Sequence, residues 1–98
     1  MNKAELRLNT VTMNKIKEVF HDKIKVGDFL RFKTIEEYED FGEEITDLIE
    51  KFEGQMVEVL KVSEDTNEWG EHYYLVVNSE GDIVSATDHE FSKVYREI

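Results

Sequence analysis

Residues 34–54 constrain the fold more than any other part of the chain, because their apolar and acidic side chains recur with the period of an α-helix. At about 100° per residue, the apolar side chains fall within an arc of roughly 140° and the acidic ones within an opposite arc of roughly 160°. Thr34 and Glu37 match a capping box, in which each side chain accepts a backbone N–H at the helix start. The pattern predicts an acidic amphipathic helix over residues 35–53. Gly42 lies on its apolar side, where it either permits close packing or marks a break into two shorter helices.

The acidic face of this helix is the main candidate for a functional surface. Neighbouring like charges on a helix cost a few tenths of a kcal/mol each, a cost that solubility alone explains poorly. Two interpretations stay open: a solvated face that keeps the protein in solution, and a surface that recognises basic groups on a partner. The acidic residues of the face are Glu36, Glu37, Glu39, Asp40, Glu43, Glu44, Asp47 and Glu50.

The charge of the chain is unevenly distributed. The net charge of −11 divides into +4 over residues 1–33, −8 over 34–53 and −7 over 54–98. On one continuous helix, the carboxylates from Glu36 to Glu53 span about 26 Å, or one charge per about 3 Å, close to the spacing of about 3.4 Å along one DNA strand. We therefore expect a basic protein surface as the partner. In a narrower version, that partner is a nucleic-acid-binding protein inhibited by mimicry.

Direct binding of nucleic acid is disfavoured, because the predominant negative charge repels a phosphate backbone. The basic first third of the chain, residues 1–33, then serves either to neutralise the acidic helix or to meet an acidic partner.

Composition excludes several classes of protein. A chain of 98 residues without cysteine predicts a single domain with no disulfide framework, thiolate metal site or thiol nucleophile. No apolar run approaches the roughly 18 residues that a membrane span needs. The first residues lack the apolar stretch of a signal peptide, so we expect a cytoplasmic protein.

No catalytic, metal or cofactor site is predicted. His21, His72 and His89 lie far apart in the sequence and lack the spacing of metal ligands. The loop at 65–70 begins like a calcium loop, but Val76 stands where a bidentate glutamate is needed. A histidine–carboxylate pair in a deep pocket would be the structural sign of an enzyme, with His72 or His89 as a general base.

The rest of the chain predicts short strands and a short N-terminal helix over 12–21, capped by Thr12, while residues 5–11 form either a strand or a tail. The order of elements predicts an α+β fold, in which the acidic helix packs on or beside a small, partly closed antiparallel barrel. The predicted strands are 29–33, 55–62, 72–78, 82–86 and 94–98, with a polar hairpin loop at 63–71 and a single helical turn at 87–90.

A second candidate surface is aromatic and comprises Trp69, Tyr73 and Tyr74. Alternation along a strand predicts that one tyrosine is buried and the other exposed. Two interpretations again stay open: core packing with the tryptophan as a loop anchor, or an exposed surface that cradles an extended peptide.

Four short motifs are distributed along the chain: VGDFLRF at 26–32, FEGQMVEV at 52–59, YLVVN at 74–78 with Gly81 and Asp82, and DHEF at 88–91. These motifs resemble those of small SH3-like barrel proteins of phages and prophages. The resemblance implies a barrel over 25–98, an N-terminal extension over 1–24 and a bacterial host cell, and it implies no activity. The acidic helix and the N-terminal helix depart from the family pattern.

Together these features predict a non-enzymatic interaction module, encoded by a phage or prophage, that binds a basic partner surface through the acidic helix. The alternative is a structural or assembly module that makes contact through its aromatic sheet surface. The sequence identifies neither the partner nor the oligomeric state.

Overall fold

A six-stranded antiparallel sheet with two short helices organises the protein in the computed structural model, which describes residues 15–20, 24–40, 42 and 44–98. The strand order is β1-β6-β2-β3-β4-β5, and the order is not closed among the described residues. The predicted α+β class with a small antiparallel sheet is confirmed. The elements are β1 (Ile16–Val19), β2 (Phe29–Phe32), α1 (Ile35–Asp40), α2 (Asp47–Phe52), β3 (Met56–Thr66), β4 (His72–Val77), β5 (Ile83–Ala86), a 3₁₀ helix (Asp88–Glu90) and β6 (Phe91–Glu97).

The main buried cluster combines side chains from β2 to β6 with Tyr38 of α1 and with Ile49 and Phe52 of α2. Phe32 of β2 stacks on Phe52 of α2 with ring centroids 5.3 Å apart, which ties the helical segment to the sheet. Tyr74 of β4 meets Phe91 of β6 edge to face at 5.7 Å. Each fully buried side chain of this size contributes about 1.5–3 kcal/mol relative to its exposed state. These contacts therefore hold α2 and the start of β6 against the sheet.

The single helix predicted over 35–53 is wrong, and the structure has the two helices that Gly42 allowed as the alternative. α1 begins at the predicted capping box: Thr34 N donates to Glu37 Oε1 at 2.9 Å, and Glu37 N donates to Thr34 Oγ1 at 3.1 Å. Gly42 then has φ of 69°, a left-handed conformation that ends a helix at little cost for glycine. Thr46 starts α2 afresh by accepting a hydrogen bond from Ile49 N at 3.3 Å.

The helix predicted over 12–21 is also wrong where the structure describes it. Residues 16–19 form β1, which pairs antiparallel with β6, so that Ile16 lies opposite Glu97 and Val19 opposite Val94. The β-branched residues Ile16 and Val19 favour a strand, and β6 supplies the backbone hydrogen-bond partners. The helical spacing of these residues in the sequence does not reveal that pairing. Residues 1–14, including the predicted strand at 5–11, lie outside the described residues, as does His21.

The remaining sheet predictions hold, with changes at the boundaries. β4 and β5 lie within the predicted ranges 72–78 and 82–86. β3 runs on to Thr66 and shortens the predicted hairpin loop, while β6 begins at Phe91, three residues early. The predicted helical turn at 87–90 is the 3₁₀ helix, where Thr87 N donates to Glu90 Oε1 at 2.8 Å. Within the described residues, neither helix is long and apolar enough to cross a membrane.

Candidate functional site

The exposed acidic residues of the α1–α2 segment, here residues 35–52, form the first part of the candidate site. Six of the eight predicted carboxylates are exposed, and none of the ion pairs between described residues involves them. Glu43 lies outside the described residues. The segment therefore presents negative charge that described bases do not neutralise. The six residues are Glu36, Glu39, Asp40, Glu44, Asp47 and Glu50.

Two further carboxylates, Glu37 in this segment and Glu53 just after it, act within the fold. Glu37 is half-buried and accepts hydrogen bonds from both the backbone N and the hydroxyl of Thr34. Glu53 Oε1 accepts from Ile35 N at 2.9 Å, although the two residues lie 18 positions apart. These bonds satisfy orphan N–H groups at the start of α1. Glu37, predicted as a partner-binding residue, therefore has a capping role in the structure.

The break at Gly42 removes the regular charge spacing that suggested a DNA strand. That spacing needed one helix about 26 Å long, whereas a six-residue helix is about 9 Å long. The acids lie on two short helices and the link between them.

The three aromatic residues of the second candidate surface separate in space. Tyr74 is buried at 4% exposure and Tyr73 is 43% exposed, as strand alternation predicts. Trp69 is 73% exposed and lines a groove whose lining does not include Tyr73. The structure therefore contains no single surface formed by all three.

A groove beside Trp69 adjoins the acidic segment. It has a volume of about 830 Å³ and lies between the α1–α2 segment, the β3–β4 turn and the 3₁₀ helix. Sequence reasoning singled out Glu44 and Trp69 separately, and the structure brings them to the same groove. Its lining residues are Tyr38, Glu44, Thr46, Asn67, Trp69, Glu71, Thr87, His89 and Glu90.

A chain of hydrogen bonds links four residues that line the groove. The hydroxyl of Tyr38 donates to the backbone oxygen of His89 at 2.6 Å. His89 Nδ1 lies 2.7 Å from Glu71 Oε2 and carries the proton, because a carboxylate only accepts. Glu71 Oε1 accepts in turn from Asn67 Nδ2 at 3.0 Å. The chain joins α1, the 3₁₀ helix and the β3–β4 turn into one lining.

Asn67 shapes the turn that carries Trp69. Its Oδ1 accepts from Trp69 N at 3.0 Å and from Glu71 N at 2.9 Å, and its own N donates to Glu71 O at 2.9 Å. Gly70 completes the turn with φ of 81°, a conformation that favours glycine. An asparagine three residues before a glycine is a turn signal in the sequence, but the signal does not reveal that the turn faces His89.

Tyr74 of β4 is buried and carries a shifted pKa. Burial, followed by the charge and hydrogen bond of Asp88 and the charge of Glu71, raises the pKa of Tyr74 to about 12. Each of these causes penalises the phenolate. Tyr74 is thus a neutral donor that holds the 3₁₀ helix against β4.

The arrangement can bind a cation, and it also contains the histidine–carboxylate pair that would indicate a general base. General-base sites gain from exclusion of water, whereas the side chain of His89 is 55% exposed in an open groove. The pair therefore lies at an exposed position and not in a deep, closed pocket. Within the described residues, no group of histidines and carboxylates could hold a metal ion.

Comparison of the chain with family models, with curated proteins and with solved structures gives no significant match.

Proposed function

We propose that this protein is a non-enzymatic interaction module that binds a basic surface of a partner protein through the α1–α2 segment. The observation that carries the proposal is the set of six exposed carboxylates in that segment, which form no ion pair with described bases. Opposite charge on a partner speeds encounter and fixes orientation, so such a surface favours basic partners.

The resemblance to small SH3-like barrels of phages is part of this proposal. It is supported by the strand order, in which β6 lies beside β2, and by the 3₁₀ helix that leads into the buried ring of Phe91. The phage origin and the cytoplasmic location rest on sequence resemblance and composition.

Inhibition of a nucleic-acid-binding protein by mimicry is the narrower version of the proposal. It now rests on charge alone, because two short helices replace the regular row of charges. A nucleic-acid-binding surface remains a suitable basic target, since it is built to meet a dense row of negative charges.

The test is capture of basic proteins, such as a nuclease or a repressor, by the immobilised chain. Reversing Glu39, Asp40 and Glu50 to lysine should abolish capture. Two of these substitutions fall at the C-terminal end of α1, where a positive charge suits the helix dipole, so the fold should tolerate them. A control with the same change in net charge reverses the exposed acids Glu64, Asp65 and Glu80. Equal loss in both variants would show that only overall charge matters.

A second candidate function, a structural or assembly module, is favoured by a partly apolar outer face of the sheet. Tyr73, Leu75 and Ile83 are exposed there on adjacent strands. Contact through this face should resist salt, because burial of apolar area is not screened. Serine at Tyr73 and Leu75 should then abolish assembly, while the charge reversals leave it unchanged.

A further inference from the structure

The groove beside Trp69 contains three carboxylates with unequal freedom to meet a ligand. Both oxygens of Glu71 accept hydrogen bonds, from Asn67 and His89. Glu90 Oε1 accepts from the backbone and the hydroxyl of Thr87. Glu44 is exposed, and no described residue donates a hydrogen bond to it. A cation entering the groove therefore gains most from Glu44.

Trp69 supplies the other half of the site. Its indole is 73% exposed, although a ring of this size usually hides most of its apolar surface. The Asn67 hydrogen bonds fix the backbone on both sides of it, at Trp69 N and Glu71 N. A ring displayed on a fixed turn loses little conformational freedom when a ligand stacks on it. Among aromatic side chains, tryptophan attracts cations most strongly.

We propose that this groove binds an arginine side chain of a basic partner segment, with the guanidinium stacked on Trp69 and paired with Glu44. The inference rests on the proposed function and adds the side chain that is recognised. Arginine suits the site better than lysine, because its planar guanidinium stacks on aromatic faces, is weakly hydrated and pairs with a carboxylate through two donors. Three carboxylates in the lining disfavour an anionic ligand.

The only tryptophan in the chain is Trp69, so its fluorescence reports directly on the groove. The probes are three short glycine-rich peptides with the same layout, carrying arginine, lysine or glutamine. The arginine peptide should change the emission of Trp69 and saturate. The lysine peptide should bind about 3-fold more weakly, and the glutamine peptide should leave the emission unchanged.

Variants locate the contact, with the affinity measured by fluorescence anisotropy of a labelled arginine peptide. Trp69→Ala should weaken binding about 5-fold and Glu44→Gln about 3-fold. Tyr73→Ala removes an exposed aromatic outside the groove, and Glu80→Gln removes an exposed acid from the β4–β5 turn. Both controls should bind like the unmodified chain. Circular dichroism melts confirm that each variant is folded, as expected for exposed positions.

The outcomes separate this inference from the proposed function. The groove assignment is overturned if the arginine peptide binds without changing the fluorescence emission of Trp69, or if the lysine peptide binds with equal affinity. The proposed binding of a basic surface would still stand in either case. Loss of binding in the Glu39, Asp40 and Glu50 reversals, but not in Trp69→Ala, overturns it in the same way. Failure of every basic peptide to bind overturns the groove assignment, and capture of whole basic proteins then decides the proposed function separately.

Discussion

Arg96 of β6 binds Asp28, at the start of β2, through two hydrogen bonds of 2.8 Å, from Nε to Oδ1 and from Nη2 to Oδ2. Asp28 is only 2% exposed, and its Oδ2 also accepts from Lys25 N at 2.8 Å. The hydrogen bond to Asp28 raises the pKa of Arg96 above its usual value. The aspartate of the VGD motif thus closes its own turn and joins the start of β2 to the end of β6.

Removal of Arg96 should destabilise the fold more than neutralisation of Asp28. Arg96→Met leaves a buried, charged carboxylate without two of its donors. Asp28→Asn removes the charge, keeps one oxygen acceptor and sets its NH2 group against one N–H donor, at a cost of about 1–3 kcal/mol. Thermal melts should rank Arg96→Met lowest. Lys93→Met, which breaks only the exposed contact with Glu18 at 3.8 Å, is the matched control and should melt like the parent. Equal melting of all three variants would contradict a structural role for the pair.

Alkaline pH should destabilise the protein through Tyr74. Its pKa of about 12 in the folded chain exceeds the usual value of about 10, so the folded state holds the proton more tightly than the unfolded state. The corresponding stability is fully present below about pH 10 and is lost as the pH rises towards 12. Absorbance of tyrosinate should show a late titration step that Tyr74→Phe removes. Persistence of that step in Tyr74→Phe would assign it to another tyrosine.

The sheet was predictable from local pattern because its central strands are unambiguous. HYYLVV is rich in aromatic and β-branched residues and ends before a turn, so β4 was placed within one residue. β1 was not predictable, since Ile16 and Val19 have the spacing of a helix and the pairing with β6 is not visible in the local pattern. The break at Gly42 was visible as an alternative, but choosing it required the new N-cap at Thr46.

The site was predictable in its parts and not in its assembly. The acids were identifiable from their charge, and Trp69 as an aromatic residue in a polar loop, yet their meeting in one groove depends on how the β3–β4 turn reaches the 3₁₀ helix. His89 and Glu71 lie 18 positions apart, and no spacing rule links them. Contacts between distant loops depend on how the whole sheet packs. Local periodicity in the sequence does not predict that packing.

Thr46 should prove necessary for the start of α2. Thr46→Ala removes the acceptor for Ile49 N and should lower the free energy of unfolding by about 1 kcal/mol. Thr46→Ser keeps the hydroxyl and should restore most of that loss. Urea unfolding of the three proteins measures the effect. Equal stability of the alanine and serine variants would show that the hydroxyl does not cap the helix.

Asn67 should control the position of Trp69. Asn67→Ala removes the acceptor of Trp69 N and Glu71 N and the donor to Glu71 Oε1, so the turn loses the contacts that hold its backbone. Hydrogen exchange at those two amides should accelerate, because their opening no longer breaks a side-chain hydrogen bond. Ser85→Ala, an exposed change on β5, should leave both rates unaltered. Unchanged exchange rates in Asn67→Ala would mean that the pairing of β3 with β4 alone holds the turn. The Asn67 side chain would then not determine the position of Trp69.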